Sequence, residues 1–458
     1  MELFKNERIK YLKKDENEKG NYIIYWMQEC QRVKYNFSLN KAIELSKQHK
    51  LPIYVIFNYL NNYPEASKRH YKFMLQGLKD VRDELQNQGI KFILLEGDIF
   101  KNICNVSRDA RFLIWDKSYL KFQRDIKEKI LFYVKTTVIE VENNVLVPVE
   151  KISSKEEYSA KTLRDKYNKI WNNSLEKFLY EEYKPLKYLE NKLEILDCSE
   201  KYIPKIKLEL DGRFIGGEKE ALKKLNYFIT NNLKFYLFKG PDNEVGSRLS
   251  PYLHFGQISP LQIVHEIEKS EGLIEEKKSF LEEVIIRREL AINFVYYNKD
   301  YDIWGNITYN WAYETLKKHL VDKREYLYTE EELESGRTHD IYWNSCQNQL
   351  VLTGYMESYM RMYWCKKILE WNEDPKIAYE VALRLNNKYL YDGRDPNSYA
   401  GIAWCFGKHD RPWKEREIFG KVRYMNSNGL ERKFKMLKYI EKYLNKKGKA
   451  VSFKNNSI

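Results

Sequence analysis

The sequence predicts an α/β domain built on a doubly wound parallel sheet, followed by an all-α domain. Three observations predict it. Short apolar, β-branched or aromatic runs alternate with charged amphipathic segments over residues 1–150. After Glu218 strand-like runs nearly vanish and long helical periodicities take over. Between the two lies a highly charged stretch with few patterns, which reads as a long surface connection with some helix.

The runs Tyr22–Met27, Pro52–Phe57, Ile90–Leu95, Phe112–Trp115 and Val138–Val141 are separated by segments of helical period, such as Glu65–Gln86 and Leu120–Val134. Short buried strands spaced by amphipathic helices read as βαβ units and a parallel sheet. The sheet carries no GxGxxG and no GxxxxGK[ST], the glycine loops that cradle phosphates, so a nicotinamide-dinucleotide enzyme and a P-loop NTPase are disfavoured. A doubly wound domain without a fingerprint still offers a flat ligand its topological switch point. The connection ends in Asp211-Gly212-Arg213-Phe214-Ile215-Gly216-Gly217. Candidate helices then cover 218–234, 259–269, 277–298, 308–319, 347–370, 375–388 and 429–444. The expected organisation is 1–150 α/β, 151–217 linker, 218–445 helical and 446–458 a basic tail.

The 458 residues include 79 Lys+Arg and 66 Asp+Glu, a net charge of +13, with 43% hydrophobic and 15% aromatic residues. That composition argues against a disordered or fibrous chain. No run reaches the ~18 apolar residues of a membrane span, and Met1–Lys14 has no apolar core of a secretory signal. Six cysteines are scattered without a CxxC pair, and seven histidines show no HExxH spacing. The expectation is a cytoplasmic protein with reduced thiols and no protein-held metal. Over 421–458, 11 Lys+Arg stand against 2 Glu, a surplus of +9. Such an excess fits a polyanionic partner through counterion release, or simply a solvated Lys-rich helix and tail.

Four constellations stand out in the helical half. Five tryptophans fall within 343–413; Trp364 and Trp371 are seven apart and share a helix face, while Trp343 belongs to a preceding segment. They form either an indole-rich core or a chain of oxidisable rings for a one-electron photo-oxidant such as flavin. Gly246-Ser247-Arg248-Leu249-Ser250-Pro251 places hydroxyls and free N–H donors at a helix start, which suits a pyrophosphate, although Ser-Pro also caps helices without a ligand. Tyr391-Asp392-Gly393-Arg394-Asp395-Pro396-Asn397 is a polar turn between buried aromatics, able to pair an Arg or accept from ribose hydroxyls, or an ordinary Asx-rich loop. Trp404–Arg416 interleaves aromatics with cations, the means of holding unstacked bases beside phosphates, or a packed surface loop.

Longer strings run through most of the chain: Tyr25-Trp26-Met27-Gln28 with Gln31-Arg32 and Asn36, Asn62-Tyr63-Pro64-Glu65-Ala66, and Arg69-His70-Tyr71 with Phe73-Met74. They continue through Ser250–Gly256, Phe280-Leu281-Glu282-Glu283, Arg287-Arg288-Glu289-Leu290 and Tyr359-Met360-Arg361-Met362-Tyr363-Trp364. They close with Leu390–Asn397, Ala400-Gly401-Ile402-Ala403-Trp404 and Arg416–Met425. In this order they resemble the class II cyclobutane pyrimidine dimer (CPD) DNA photolyases of the photolyase/cryptochrome family, with a Rossmann-like first domain.

The resemblance implies light-driven repair of pyrimidine dimers in UV-damaged DNA. FAD would lie U-shaped in the helical domain, and one electron would pass from the excited reduced flavin to a flipped-out dimer. It implies that Tyr236, Ser247, Arg248, Leu249 and Ser250 contact the phosphate and ribose region, and that Arg361 and Asp392 pair beside the isoalloxazine, followed by Gly393 and Arg394. Asn386 would stand near flavin N5, Glu283, Met362 and Trp404 at the dimer, with Glu282 and Glu289 as rivals of Glu283. Trp364, Trp343 and Trp371 would be the electron-transfer tryptophans, and Asp410, Arg411, Trp413 and Arg423 the DNA-binding group that fills the gap left by the extruded dimer. The family also implies a monomer, and a first domain that can hold an antenna chromophore, often a deazaflavin. The chain departs from the family at Phe238-Lys239-Gly240-Pro241, where an Arg-Asn pair is usual, and at Arg287, where some relatives place a tryptophan. Competing readings are a cryptochrome-like photoreceptor, a non-enzymatic nucleic-acid binder and a (6-4) photoproduct enzyme.

Overall fold

The computed structural model describes residues 5–15, 19–170, 178–187, 214–271 and 273–444. The basic tail 446–458, Asp211–Arg213, Cys198 and part of the expected linker lie outside the described residues. Contacts group the chain into two compact units. One comprises the described residues up to Lys187 with Phe214–Leu237 and Ser247–Lys299; the other comprises Phe238–Gly246 and the described residues from Asp300 onward.

In the first unit six strands form one sheet: β1 Ile9–Lys13, β2 Tyr22–Trp26, β3 Ile53–Tyr59, β4 Lys91–Glu96, β5 Ala110–Asp116 and β6 Thr137–Val141. Their order is β1-β6-β5-β2-β3-β4. All pairs are parallel except β1–β6. Helices α1 Phe37–His49, α2 Lys68–Asn87, α3 Ile99–Val106 and α4 Lys121–Tyr133 follow successive strands. Ile23 and Tyr25 of β2 enter one apolar cluster, Ile24 and Trp26 the other. A sheet covered on both faces leaves no position along a central strand for a solvated side chain, which is why its strands read as continuous apolar runs. The strand β1 is the exception. Its IKYLK sequence is charged and only partly buried, as an edge strand should be.

The direction of winding reverses between β2 and β5, and the carboxylate of Asp116 organises that point. It accepts from the backbone N–H of Gln28 and Glu29 (both 3.1 Å), Tyr25 Oη (2.9 Å), Ser38 Oγ (2.7 Å) and Asn143 Nδ2 (2.8 Å). Helices α5 Ala160–Ile170, α6 Glu218–Tyr227, α7 Pro260–Lys269, α8 Ile274–Leu281 and α9 Arg288–Tyr297 also belong to this unit. A π-helical turn, Glu282–Arg287, joins α8 to α9. The chain enters α6 through Gly216 and Gly217, which press on α2. A Cβ on Gly216 would stand 1.9 Å from Phe73 O, and Gly217 has φ +126°. Helices α6–α9 thus group with the sheet.

The second unit is helical: α10 Asn310–Lys318, α11 Ile341–Thr353, α12 Ser358–Glu370, α13 Pro375–Tyr389, α14 Pro396–Cys405 and α15 Met436–Tyr443. The sequence reads 347–370 as one helix; the chain makes two. Gly354, at φ 65°, ends α11 in a left-handed cap and α12 restarts after Glu357. Among the described residues no helix is long and apolar enough to cross a membrane, and no group of three His, Cys, Asp or Glu could hold a metal.

Candidate active site

The second unit gathers most of the predicted residues. Arg361 projects from the first turn of α12 and the loop after α13 carries Asp392. Arg361 Nη2 meets Asp392 Oδ2 at 2.9 Å, and Arg361 Nε donates to Met356 O at 2.8 Å. Burial works against the guanidinium charge, but the Asp392 carboxylate outweighs it and holds the Arg361 pKa above its ordinary value. The other oxygen, Oδ1, is buried and has no hydrogen-bond partner. A buried carboxylate oxygen left unmatched is costly unless a ligand meets it.

The loop is rigid for identifiable reasons. Gly393 lies so close to α13 that a Cβ would come within 2.8 Å of Asn387 Cα and O. Arg394 takes φ 62°, its N–H donating to Asn387 Oδ1 at 2.9 Å, and Ser398 Oγ donates to Asp392 O at 2.8 Å. Asn386 is buried one residue earlier, its Nδ2 donating to Asn387 Oδ1 at 3.1 Å.

Three indoles stand together. Trp343 and Trp364 stack nearly parallel, centroids 6.3 Å apart at 5°, and Trp371 meets Trp343 edge-on at 5.5 Å. Trp343, on α11, is therefore the middle member between Trp364 of α12 and Trp371 at the C-terminal cap of α12. All three are buried. Trp343 Nε1 donates to Trp364 O, and Trp364 Nε1 to Gln347 Oε1, both at 2.9 Å. Asp340 caps α11 through the N–H of Tyr342 and Trp343, and accepts from Tyr363 Oη of α12. One carboxylate thereby sets the helix start that presents Trp343 and ties it to the neighbouring helix.

A second aromatic–cation group forms around Arg423. Its guanidinium pairs with Asp410 (Nε–Oδ2 2.8 Å), lies 4.1 Å from the Trp413 ring centroid and 5.3 Å from that of Trp404. Arg411 lies 5.5 Å from the Trp413 centroid, and Trp413 is exposed. Burial raises the Asp410 pKa, yet the bonds from Arg423, the Arg411 N–H and Trp413 prevail and lower it, so the carboxylate stays charged. Beneath Trp404, Lys366 is fully buried, 5.3 Å from the indole centroid and bonded to Cys405 O. Burial pulls its pKa down to about 8. Met362, half-buried, offers its carbonyl to Cys405 Sγ at 3.8 Å.

In the first unit, Ser250 Oγ is buried with no partner, Leu249 N–H faces Ser247 Oγ at 3.4 Å, and Arg248 takes φ 55°. Tyr236 is buried edge-on against Phe228 and Phe280. The three candidate glutamates separate clearly. Glu282 is engaged by Arg164 and Arg287. Glu289 is buried, accepting from Leu146 N–H at 2.6 Å and from Tyr167 Oη, and burial pushes its pKa up to about 7. Glu283 alone of the three is exposed, on the π-helical turn.

Sequence reading missed Asp340, Gln347, Asn387 and Lys366. Asp340 had a signal, an Asp directly before an apolar helical run, and Lys366 had one in its position within Trp364-Cys365-Lys366-Lys367-Ile368. Gln347 and Asn387 had none, because their roles exist only once two segments meet.

The profile of the DNA photolyase family matches residues 23–185. The chain is 42% identical over 447 residues to the deoxyribodipyrimidine photo-lyase of Methanothermobacter thermautotrophicus, covering 95% of this chain and 98% of that one. It is 38% identical to that of Arabidopsis thaliana, over 91% of this chain and 88% of the relative, and 35% identical to that of Potorous tridactylus, over 96% and 85%. In fold it is similar to a bacterial class III photolyase from Agrobacterium tumefaciens, with TM-score 0.75 at 17% identity over 93% of this chain and 87% of that one. It is also similar to an archaeal photolyase from Sulfolobus tokodaii with two FAD molecules, with TM-score 0.70 at 18% identity over 92% and 90%. With near-complete coverage at these identities, the chain belongs to the deoxyribodipyrimidine photo-lyase family and is a DNA-repair lyase.

Proposed function

We propose that this enzyme splits cyclobutane pyrimidine dimers in UV-damaged DNA under light, as a class II photolyase that binds FAD. The carrying observation is the buried indole ladder Trp364–Trp343–Trp371, three rings in contact, an arrangement suited to moving single electrons. The class assignment rests on the ordered strings from Tyr25 to Met425 that resemble class II enzymes.

The residues present fit a flavin nucleotide. Asp392 Oδ1 is a buried polar atom without a protein partner, in a loop whose neighbouring groups are bonded. When bound, FAD supplies light absorption and the electron that a pyrimidine ring can accept. The Arg361–Asp392 pair would hold its ring system, with Arg361 providing positive charge for a reduced, anionic ring and Asn386 a polar side chain from α13. Tyr236 and Ser247–Ser250, with Arg248 and Leu249, are assigned to the nucleotide part by motif. Glu283, Met362 and Trp404 are assigned to the dimer. Glu283, on the π-helical turn, would face a pyrimidine carbonyl of the dimer. Trp413 and Arg423, oriented by Asp410 and flanked by Arg411, would occupy the space vacated by the extruded bases, where stacking and charge replace the lost pairing. An antenna chromophore, a deazaflavin or a second flavin, is proposed for the α/β layers, where Gln28 Oε1 and Gln31 Oε1 are buried without partners beside the switch point.

The test is the absorption spectrum of the purified protein, followed by blue light on thymine-dimer DNA. FAD bands, any antenna band and loss of dimers are expected. A flavin-loaded, fully reduced protein that leaves dimers intact overturns the repair reading and favours a photoreceptor.

A further inference from the structure

The end of α10 carries a hairpin. Trp413–Lys421 folds back on itself through Trp413 N–H to Lys421 O at 2.8 Å, Arg416 N–H to Gly420 O at 2.9 Å and Gly420 N–H to Arg416 O at 2.8 Å. It rests on the helix end at three points. His319 Nε2 meets Glu415 Oε1 at 3.0 Å, Ile418 N–H donates to Asp322 Oδ2 at 2.7 Å, and Lys421 N–H donates to Thr315 Oγ1 at 2.9 Å. His319 Nδ1 meets the same Asp322 oxygen at 2.5 Å. We propose that His319, as an imidazolium bridging Asp322 and Glu415, is a positioning residue for damaged DNA: it sets the hairpin that presents Trp413 beside Arg423, and selection of dimer-containing duplex weakens as it loses its proton. The inference rests on the proposed reading of Trp413 and Arg423 and deepens it.

The ring must be charged to serve both partners. Neutral imidazole has one N–H and one lone pair, and a carboxylate only accepts, so a neutral ring would turn its lone pair on an oxygen. The imidazolium donates twice. Its place favours the charge, since His319 caps the C-terminus of α10, where the last carbonyls carry partial negative charge. The charged groups around it are Asp322 and Glu415, which touch it, Lys318, which pairs with Glu415 at 2.7 Å, and Arg324, whose guanidinium is turned onto the carbonyls of His319, Leu320 and Asp322. Lys318 is largely exposed, so its own pair with Glu415 holds the hairpin weakly. Burial opposes the charge on His319, but the two carboxylates prevail and hold its pKa above the ordinary value.

The hairpin needs holding. Ile418 takes φ 65°, and Phe419 N–H donates across it to Glu417 O at 2.7 Å, a three-residue turn of the rare, strained hand on a β-branched residue. The N–H of that strained residue is tied down by Asp322, the carboxylate that His319 shares. Gly420, at φ 52°, lies so close to α10 that a Cβ would stand 2.1 Å from Thr315 Oγ1 and 2.9 Å from His319 Cδ2, so the hairpin backbone lies against the ring itself. Trp413 is exposed and has little packing of its own. Its backbone is set by the rung at Lys421, and its ring by Asp410 and Arg423. Arg423 stands two residues beyond that rung. Loss of the proton removes one of the two bonds from the ring, the strained turn is released on that side, and Trp413 and Arg423 lose their common register.

The experiment uses the full chain as purified, kept in the dark, and fluorescently labelled duplexes with and without one thymine dimer. Affinities are measured from about pH 5.5 to about pH 9 at fixed ionic strength, and the ratio of the two cancels what net charge does to both. The unaltered protein should lose roughly fivefold in dimer selection as pH rises through the His319 titration, the scale of one partly exposed ion pair. His319→Gln should stay flat at the weaker level, and His319→Lys, charged throughout this range, flat near the stronger one. Selection that ignores pH in the unaltered protein, or that changes with pH equally in His319→Gln, overturns the proposal. Equal loss in both variants at every pH, the mark of a merely structural role, also overturns it. An unaltered protein that selects dimer DNA at no pH overturns the reading of the hairpin group, and this inference with it.

Discussion

Lys366 gives the sharpest quantitative prediction, because a cation so completely buried must register in the stability curve. Its amine lies beneath Trp404, held by Cys405 O, with Cys365, Cys405, Asp410 and Arg423 as the titratable or charged neighbours. Burial lowers its pKa from 10.5 to about 8. At ~1.4 kcal/mol per pH unit, that gap is about 3 kcal/mol of native-state cost for keeping the charge. The sign follows directly. Below pH 8 both folded and unfolded chains hold the proton and the cost is fully present; between 8 and 10.5 the unfolded chain binds more protons, so stability rises with pH.

Lys366→Met keeps the length of the side chain and removes the titration. The unfolding free energy of the unaltered protein minus that of the variant should therefore climb by about 2 kcal/mol from pH 8 to pH 9.5. Urea unfolding followed by tryptophan fluorescence reads this, since most of the described indoles lie in the same helical unit. Cys405 titrates nearby: burial raises its pKa, but the bond from Cys365 and the Lys366 charge prevail and lower it, so the pair should be repeated in a Cys405→Ser background. A difference that stays flat with pH, or falls, refutes the argument.

The other predictions are more direct. Trp343→Phe removes the ring that contacts both Trp364 and Trp371, so light-driven flavin reduction should be lost while chemically pre-reduced protein still repairs; loss of both would deny the ladder its role. Asp410→Ala unlatches Arg423 from its place over Trp413 and should weaken binding to dimer-containing duplex by about 1–2 kcal/mol, roughly tenfold, in a titration at fixed salt. His319 is partly desolvated, which lowers its pKa, but its bonds to Asp322 and Glu415 prevail and raise it. The stability it lends the 415–418 segment is full below pH 6.5 and fades as pH rises through the raised value. His319→Gln should abolish that pH dependence in thermal melts of the two proteins.

Where local pattern and tertiary demand agree, the fold was legible. The four inner strands and the edge strand β4 sit where the apolar runs predicted them, because a sheet buried on both faces forbids polar interruptions. The charged edge strand β1 was invisible, since its pairing is with a strand more than a hundred residues away. The segment 347–370 looked continuous because its only breaker, Gly354, is a residue that helices tolerate at modest cost; the left-handed cap it adopts is decided by packing. Helix α14 was read as loop and motif, its Gly and Pro masking an Asp395-capped start. In the site, the Arg361–Asp392 pair and the indoles were readable as motifs, whereas the order of the indoles was not. Seven-residue spacing placed Trp364 and Trp371 on one face, but only the crossing of α11 over α12 inserts Trp343 between them.

That insertion explains why so much of the polar chemistry around the ladder is spent on position. Asp340 starts α11 and bonds Tyr363; Gln347 receives Trp364 and in turn donates to Glu334 O at 2.9 Å; Trp343 ties its own N–H to the backbone of α12. Every one of these acceptors near the first two indoles is a carbonyl, or a carboxylate already satisfied elsewhere. In the electron-transfer role proposed for these rings, a hole on Trp343 or Trp364 would find no bonded base to trap it, since each indole N–H is held by an amide carbonyl.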